Sequence, residues 1–206
     1  MIHSRMTSDD YPEGYWERGE GSNYIDYSDE VAWPVIWNTM APYIKGAVRE
    51  IACAKGYFVK HGYWLGYDVK GIDISQYAID NAAPGVSGLI EQANAVDLPW
   101  SDDEAQVLFA FEFLEHVYED EIDQVLSEIG RVTRSGSVLV FKIGLTDMAD
   151  HIDDDHTHYT QHDREWWLER LSHTDWVWFP ELEEALNQAI EPVQPTWKGR
   201  FFCYVK

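Results

Sequence analysis

Two hydrophobic rhythms take turns along most of this 206-residue chain. Over 29–45 the apolar residues Val31, Trp33, Ile36, Trp37, Met40 and Ile44 recur at roughly helical spacing, with Pro34 near the start where a helix accepts it. The spacing predicts an amphipathic opening helix. A short apolar run at 48–53 then reads as a strand, 55–65 as a helix, 67–72 as a strand and 75–82 as a helix. The alternation continues with a weaker strand at 89–92, a clear one at 106–111, an amphipathic helix over 119–133 and a strand at 137–143. A His- and Asp-rich loop at about 145–162 precedes a helix at 163–171, an apolar segment at 176–179, a helix at 181–189 and a last strand at 200–205.

Such a succession implies parallel strands joined by right-handed helical crossovers. The expected fold class is α/β, a Rossmann-like three-layer αβα sandwich. Its sheet would be mostly parallel and seven-stranded, with one antiparallel edge strand supplied by the final pair of strands and the helix between them. Residues 1–30 are rich in Tyr, Gly, Asp and Glu without a sustained period, and read as an N-terminal arm of irregular chain or short helices. Residues 31–206 read as one domain.

Composition narrows the setting. No stretch approaches the roughly 18 apolar residues of a membrane span, and the first residues carry neither a basic flank nor an apolar run, so a cytoplasmic protein is expected. Cys53 and Cys203 are far apart inside apolar segments, which fits reduced core thiols better than a disulfide or a zinc cluster. Acidic residues outnumber basic ones 37 to 15, for a formal net charge of −22. That charge repels a phosphate backbone and disfavours nucleic acid as a partner. The shortage of Lys also suits a protein made in a high-salt cytoplasm, where ions screen self-repulsion.

A nucleoside ligand on such a sheet needs a turn that admits it, an acid for the ribose hydroxyls and an adenine slot. The stretch EIACAKG at 50–56 sits where the turn should be, with Ala52 and Ala54 in the first two glycine positions and Gly56 in the third. Alanine there pays a steric cost if the backbone needs positive φ. The acid is Asp73, which ends an apolar strand two residues before Ser75, about the expected 20 residues on. Two readings of Asp73 stay open at this point: a ribose ligand, or a residue that merely caps the next helix.

Taken in order, these segments resemble the class I S-adenosylmethionine-dependent methyltransferases, from about Tyr15 to the C-terminus. The stretch ANAVDLPW at 93–100 resembles the adenine-contacting loop, with Asn94 in place of the usual acid. QVLFAFEFLEHV at 106–117 resembles the fourth strand and its turn, with Glu112, Glu115 and His116 at the family's positions, and RVTRSGS at 131–137 the turn before the fifth strand. Within the family, members reading Cys-Ala-Lys-Gly in the first turn, with an N-terminal segment like ERGEGSNY at 17–24, are the most similar. The resemblance implies S-adenosyl-L-methionine as cofactor and S-adenosyl-L-homocysteine as product. It implies that Glu50, Ala52, Ala54, Gly56, Asp73, Ile74, Asn94, Ala95 and Glu112 bind the cofactor, and that the arm folds over it with Tyr24 or Tyr27 nearby.

An oxygen acceptor must lose its proton as the methyl group arrives, and a histidine suits that role. His158 resembles the Thr-His that many relatives carry before an aromatic helix, here Trp166 and Trp167, and is the first candidate for acceptor binding or base work; His116 is the second. The loop from Asp147 to His158 holds enough Asp and His to suggest a divalent metal, as in some sugar and catechol O-methyltransferases. A metal is not favoured, because acidic loops are common in so acidic a chain and His-x-His alternation fixes no coordination geometry. The expected function is methyl transfer to a small-molecule or glycan acceptor, at oxygen. The alternatives are a protein or nucleotide methyltransferase, and a catalytically weak domain serving as an interaction module.

Overall fold

The computed structural model describes residues 4–17, 22, 24, 28, 30–148 and 155–206. Its elements run α1 (Glu13–Trp16), α2 (Ala32–Met40), β1 (Val48–Ile51), α3 (Tyr57–Trp64), β2 (Val69–Asp73), α4 (Gln76–Asp80), β3 (Ile90–Gln92) and β4 (Ala105–Phe111). They continue with α5 (Ile122–Val132), β5 (Thr133–Lys142), α6 (Arg164–Leu171), β6 (Val177–Trp178), α7 (Pro180–Ile190) and β7 (Phe201–Val205).

The strands form a seven-stranded sheet in the order β3-β2-β1-β4-β5-β7-β6. β3, β2, β1, β4 and β5 pair in parallel, and β7 runs antiparallel to both β5 and β6. All of β1 and β4 is buried, as expected of parallel strands covered on both faces. Alternate residues serve the two layers. Leu108, Ala110, Leu139 and Phe141 pack toward α5 and α6, while Val107, Phe109, Val138 and Val140 pack toward α2, α3 and α7.

All but the last of the predicted helices are shorter than the periodicity predicts. α2 stops at Met40 and gives way to a 3-10 turn, Ala41–Tyr43, because Pro42 lacks the amide donor that would continue the helical bonding. β5 begins at Thr133, four residues before the predicted start at 137, and residues 134–136 are exposed and so carry no apolar signal. Among the described residues no helix is long and apolar enough to cross a membrane. Cys53 and Cys203 are buried free thiols.

Chain order now locates the cleft. From β1 the chain moves outward through β2 and β3, then returns to lay β4 on the other side of β1. Loops leaving the carboxyl ends of β1 and β4 therefore diverge, and the crevice between them is where open α/β sheets take ligands.

Candidate active site

A cavity of about 370 Å³ opens at that crevice, within the range of ligand pockets, roughly 300–1,000 Å³. Its floor comes from the strand ends: Ile51 and Ala52 after β1, Ile72 and Asp73 after β2, Phe111 and Glu112 after β4, Lys142 and Gly144 after β5. A smaller cavity of about 60 Å³ adjoins it and is lined by Glu50, Trp33 and Phe58 together with Ala52, Ala54, Glu112 and Lys142.

The turn after β1 adopts the left-handed backbone that its missing glycines would have eased. Ala52 has φ +57° and Ala54 φ +50°, followed by Gly56 at +78°. Left-handed backbone costs a residue with a Cβ about 1–2 kcal/mol. Gly56 caps α3 and does not line the cavity; a Cβ there would sit 3.1 Å from both Val86 and Ile90. Cys53 N–H donates to Ile72 O at 2.8 Å, and Ala54 N–H donates to Asp73 Oδ2 at 2.8 Å, so β2 holds the turn in place.

Asp73 also accepts from Ser75 N–H through Oδ1 at 2.9 Å, and Ser75 caps α4 by accepting from Ala78. Both readings of Asp73 thus meet in one residue: it braces the next turn and it faces the cavity. Burial pushes its carboxyl up to about 6, against the pull of the backbone N–H groups of Ser75, Ala54 and Ile74. Three N–H donors leave the carboxylate one further lone pair for a hydroxyl donor. Glu50 is buried, its Oε2 has no hydrogen-bond partner among the described residues, and burial followed by the charge of Asp73 holds it well above the usual carboxylate range.

Ile74, Asn94 and Ala95 line the same cavity. Asn94 is locked at both ends, donating to Met6 O at 3.1 Å and accepting from Val96 N–H at 3.1 Å. Through Met6 it fastens the N-terminal arm to the cavity wall. Trp16 fastens it again: its indole N–H donates to Ser75 Oγ at 3.0 Å and to Tyr11 O at 3.1 Å. Tyr11, Trp16 and Tyr24 are buried in one cluster with Ala78, and all three aromatics line the cavity. Tyr27 lies outside the described residues, as do most of the 17–24 segment and, in the His- and Asp-rich loop, Asp150, His151, Asp153 and Asp154.

The opposite half of the cavity is built by the turn after β4 and by the chain around 155–160. His116 and His158 stand edge to face with ring centroids 4.5 Å apart. His116 Nδ1 lies 2.9 Å from Thr157 Oγ1, and the Thr157 hydroxyl lies 2.6 Å from Asp155 Oδ1. A hydroxyl has one proton, and a carboxylate can only accept it. His116 Nδ1 must therefore carry its own proton and donate to Thr157, which leaves Nε2 bare. Burial, aided by His158, lowers His116 to about 3, so the ring is neutral at ordinary pH. Tyr15 donates to the other Asp155 oxygen at 3.2 Å.

Sequence reasoning missed Lys142, Asp155 and Thr157. Lys142 is fully buried, ion-paired with Glu112 and 4.2 Å above the Trp197 ring. Its signal was a single cation ending an otherwise apolar strand. Glu112 itself has φ +46°, with its N–H donating to Lys142 O at 2.7 Å. The described lining carries the carboxylates Asp73, Glu112, Glu115 and Asp155 against the cations Lys142 and Arg200, a balance that favours a positively charged ligand.

Residues 49–141 match the family model described as a methyltransferase domain. The fold is that of the class I S-adenosylmethionine-dependent methyltransferases. Among solved structures it is similar to a complex between the Haloferax volcanii Trm112 methyltransferase activator and a methyltransferase, at 14% identity and TM-score 0.65 over 100% of this chain and 99% of that one. An S-adenosylmethionine-dependent methyltransferase from Archaeoglobus fulgidus aligns at 18% identity and TM-score 0.64, covering 94% and 97% of the two chains. Geranyl diphosphate C-methyltransferase from Streptomyces coelicolor, in complex with Mg²⁺, geranyl diphosphate and S-adenosylhomocysteine, aligns at 14% and 0.57 over 82% and 77%. No curated protein matches the sequence. S-adenosylmethionine is the cofactor of this class. The residues present fit it: acids outnumber cations around the cavity, Ala52 and Ala54 line it, and Glu50 has a buried oxygen beside it with no hydrogen-bond partner among the described residues.

Proposed function

We propose that the protein transfers a methyl group from S-adenosylmethionine to a hydroxyl of a small molecule or glycan, leaving S-adenosylhomocysteine. The cofactor supplies an activated methyl group on a positively charged sulfur, so the chain's own task is mainly orientation. Asp73 would accept from the ribose hydroxyls, Asn94 and Ala95 would flank the adenine, and Glu50 with the backbone of Ala52 and Ala54 would face the amino acid end. In this reading residues 1–30 form an arm that roofs the site of the 31–206 domain, and the protein is cytoplasmic.

The observation that carries the choice of a hydroxyl acceptor is the facing pair His116 and His158 in the lining of the cavity. A base held near 3 drives little proton transfer at neutral pH, so His116 orients the acceptor through its bare Nε2. His158, the partly exposed member, takes the hydroxyl proton. The net charge argues against a nucleic acid acceptor.

The reading is tested by titrating the purified protein with S-adenosylmethionine and S-adenosylhomocysteine in a calorimeter, then following labelled methyl transfer onto a panel of alcohols, phenols and glycans. Binding and transfer to oxygen support it. Absence of heat at millimolar ligand favours an interaction module, for which the strained alanine turn is the structural argument. Transfer to nitrogen or carbon alone refutes the acceptor assignment.

A further inference from the structure

We propose that Glu115, His116 and His158 form a binding site for a first-row divalent cation of the Mn²⁺, Fe²⁺ or Zn²⁺ type. Each offers a donor atom within 4.8 Å of the donors of the other two, and all three line the cavity. Two imidazoles with one carboxylate suit these ions better than Mg²⁺ or Ca²⁺, which take oxygen ligands. Bond lengths near 2.0–2.3 Å put the donors of one ion about 3–4.5 Å apart, so a small inward rotation of the partly exposed His158 brings the set into range.

The surroundings are organised as a metal site's would be. The Thr157 and Asp155 chain fixes the His116 tautomer, leaving Nε2 as the lone-pair donor; ligating histidines are commonly held by such a bond from their other nitrogen. Glu115 is pinned at one oxygen by Gly144 N–H at 2.7 Å. His158 is carried by a segment tied to the same turn, with Thr160 N–H donating to Glu115 O at 3.0 Å and the Thr160 hydroxyl to Val117 O at 2.7 Å. Glu112 stands next to the cluster: a Cβ added at Gly144 would lie 2.9 Å from Glu115 and 3.6 Å from Glu112. The sequence treated the loop's acids as the ligand source; the structure draws two of the three ligands from the turn after β4 instead.

Binding of the ion is independent of the methyl-transfer reading; only its consequence rests on that reading. With the ion in place His158 is a ligand, and the acceptor hydroxyl binds the cation through oxygen and releases its proton to solvent. Coordination lowers a hydroxyl's pKa and so activates the acceptor oxygen.

The test is equilibrium dialysis of chelator-stripped protein against micromolar Mn²⁺, with molar potassium chloride and excess Mg²⁺ present to suppress loose binding to the acidic surface. One Mn²⁺ per chain is expected, with imidazole nitrogen couplings in its pulsed paramagnetic resonance spectrum. Loss of a single donor costs a site at least about tenfold in affinity, so His158→Ala and Glu115→Gln must each weaken binding by that much, while Glu184→Gln on α7 leaves it unchanged. Circular dichroism confirms that each variant is folded; Gln at 115 keeps the acceptor for Gly144. Binding without nitrogen coupling, or equal binding by His158→Ala and the parent, overturns the proposal. A protein that binds Mn²⁺ this way yet ignores S-adenosylmethionine leaves the site standing and defeats the functional reading alone.

Discussion

The amide of Ala54 donates to the Asp73 carboxylate at 2.8 Å, across 19 residues of sequence. One hydrogen bond thereby joins the strained turn after β1 to the acid that closes β2, so the conformation of each depends on the other.

Replacing Asp73 with Ala removes this brace and the proposed acceptor for the ribose. Hydrogen bonds to a charged group contribute about 1.5–3 kcal/mol each, so cofactor affinity should fall by tenfold or more in calorimetry. Unchanged affinity refutes the assignment.

The same carboxyl sets a pH dependence. Its folded pKa of about 6 lies above the ordinary carboxyl value of 3.8, so the native state holds the proton more tightly and the cost of a buried charge develops as pH rises from about 3.8 to about 6. The charged form is the better hydroxyl acceptor. Cofactor affinity should therefore weaken as pH falls through about 6, and Asp73→Asn should flatten that profile.

Ala52→Gly and Ala54→Gly test the turn. Relief of left-handed strain, about 1–2 kcal/mol, exceeds the 0.5–1 kcal/mol of chain entropy that glycine adds to the unfolded state. Each variant should gain up to about 1 kcal/mol, a rise of about 2–4 °C in melting temperature for a chain of this size. A drop in melting temperature would mean that the methyl groups make packing contacts worth more than the strain.

Removal of either histidine should separate binding from turnover. His158→Ala is expected to keep cofactor affinity and lose transfer to an identified acceptor. His116 brings a second signature: with a folded pKa near 3 against 6.5 unfolded, the unfolded chain takes up the extra proton, so stability declines as pH drops below about 6.5. His116→Asn should show a shallower acid limb in thermal melts, and an identical limb argues against a buried neutral ring.

A net charge of −22 predicts that salt stabilises the fold by screening self-repulsion. Melting temperature should climb from low to molar potassium chloride. Equal stability at both extremes counts against self-repulsion as a cost to the fold.

Most of the sheet was legible because buried parallel strands are continuous apolar runs and their crossover helices carry a different period. Asp73 was legible from its place at a strand end, and the alanine turn from its departure at the two glycine positions. In the opposite half His116 and His158 were legible singly, but their pairing was not. His116 and His158 are 42 residues apart in sequence, and nothing local says that their rings meet. Thr157 and Asp155 read as loop polarity because their role is to orient another residue. Lys142 lay unremarked inside the strand predicted at 137–143, since a cation buried against Trp197 and Glu112 is identifiable only once those partners converge.

The cavity draws on both ends of the polypeptide. Met6, Tyr11 and Trp16 come from one terminus and Trp197 and Arg200 from the other, whereas the recognisable methyltransferase segment, 49–141, furnishes mainly the floor. Stretches that family comparison leaves unmatched therefore close a cavity whose floor is shared, and grafting those two terminal stretches onto a related sheet would show how far they, apart from His116 and His158, shape what the cavity admits.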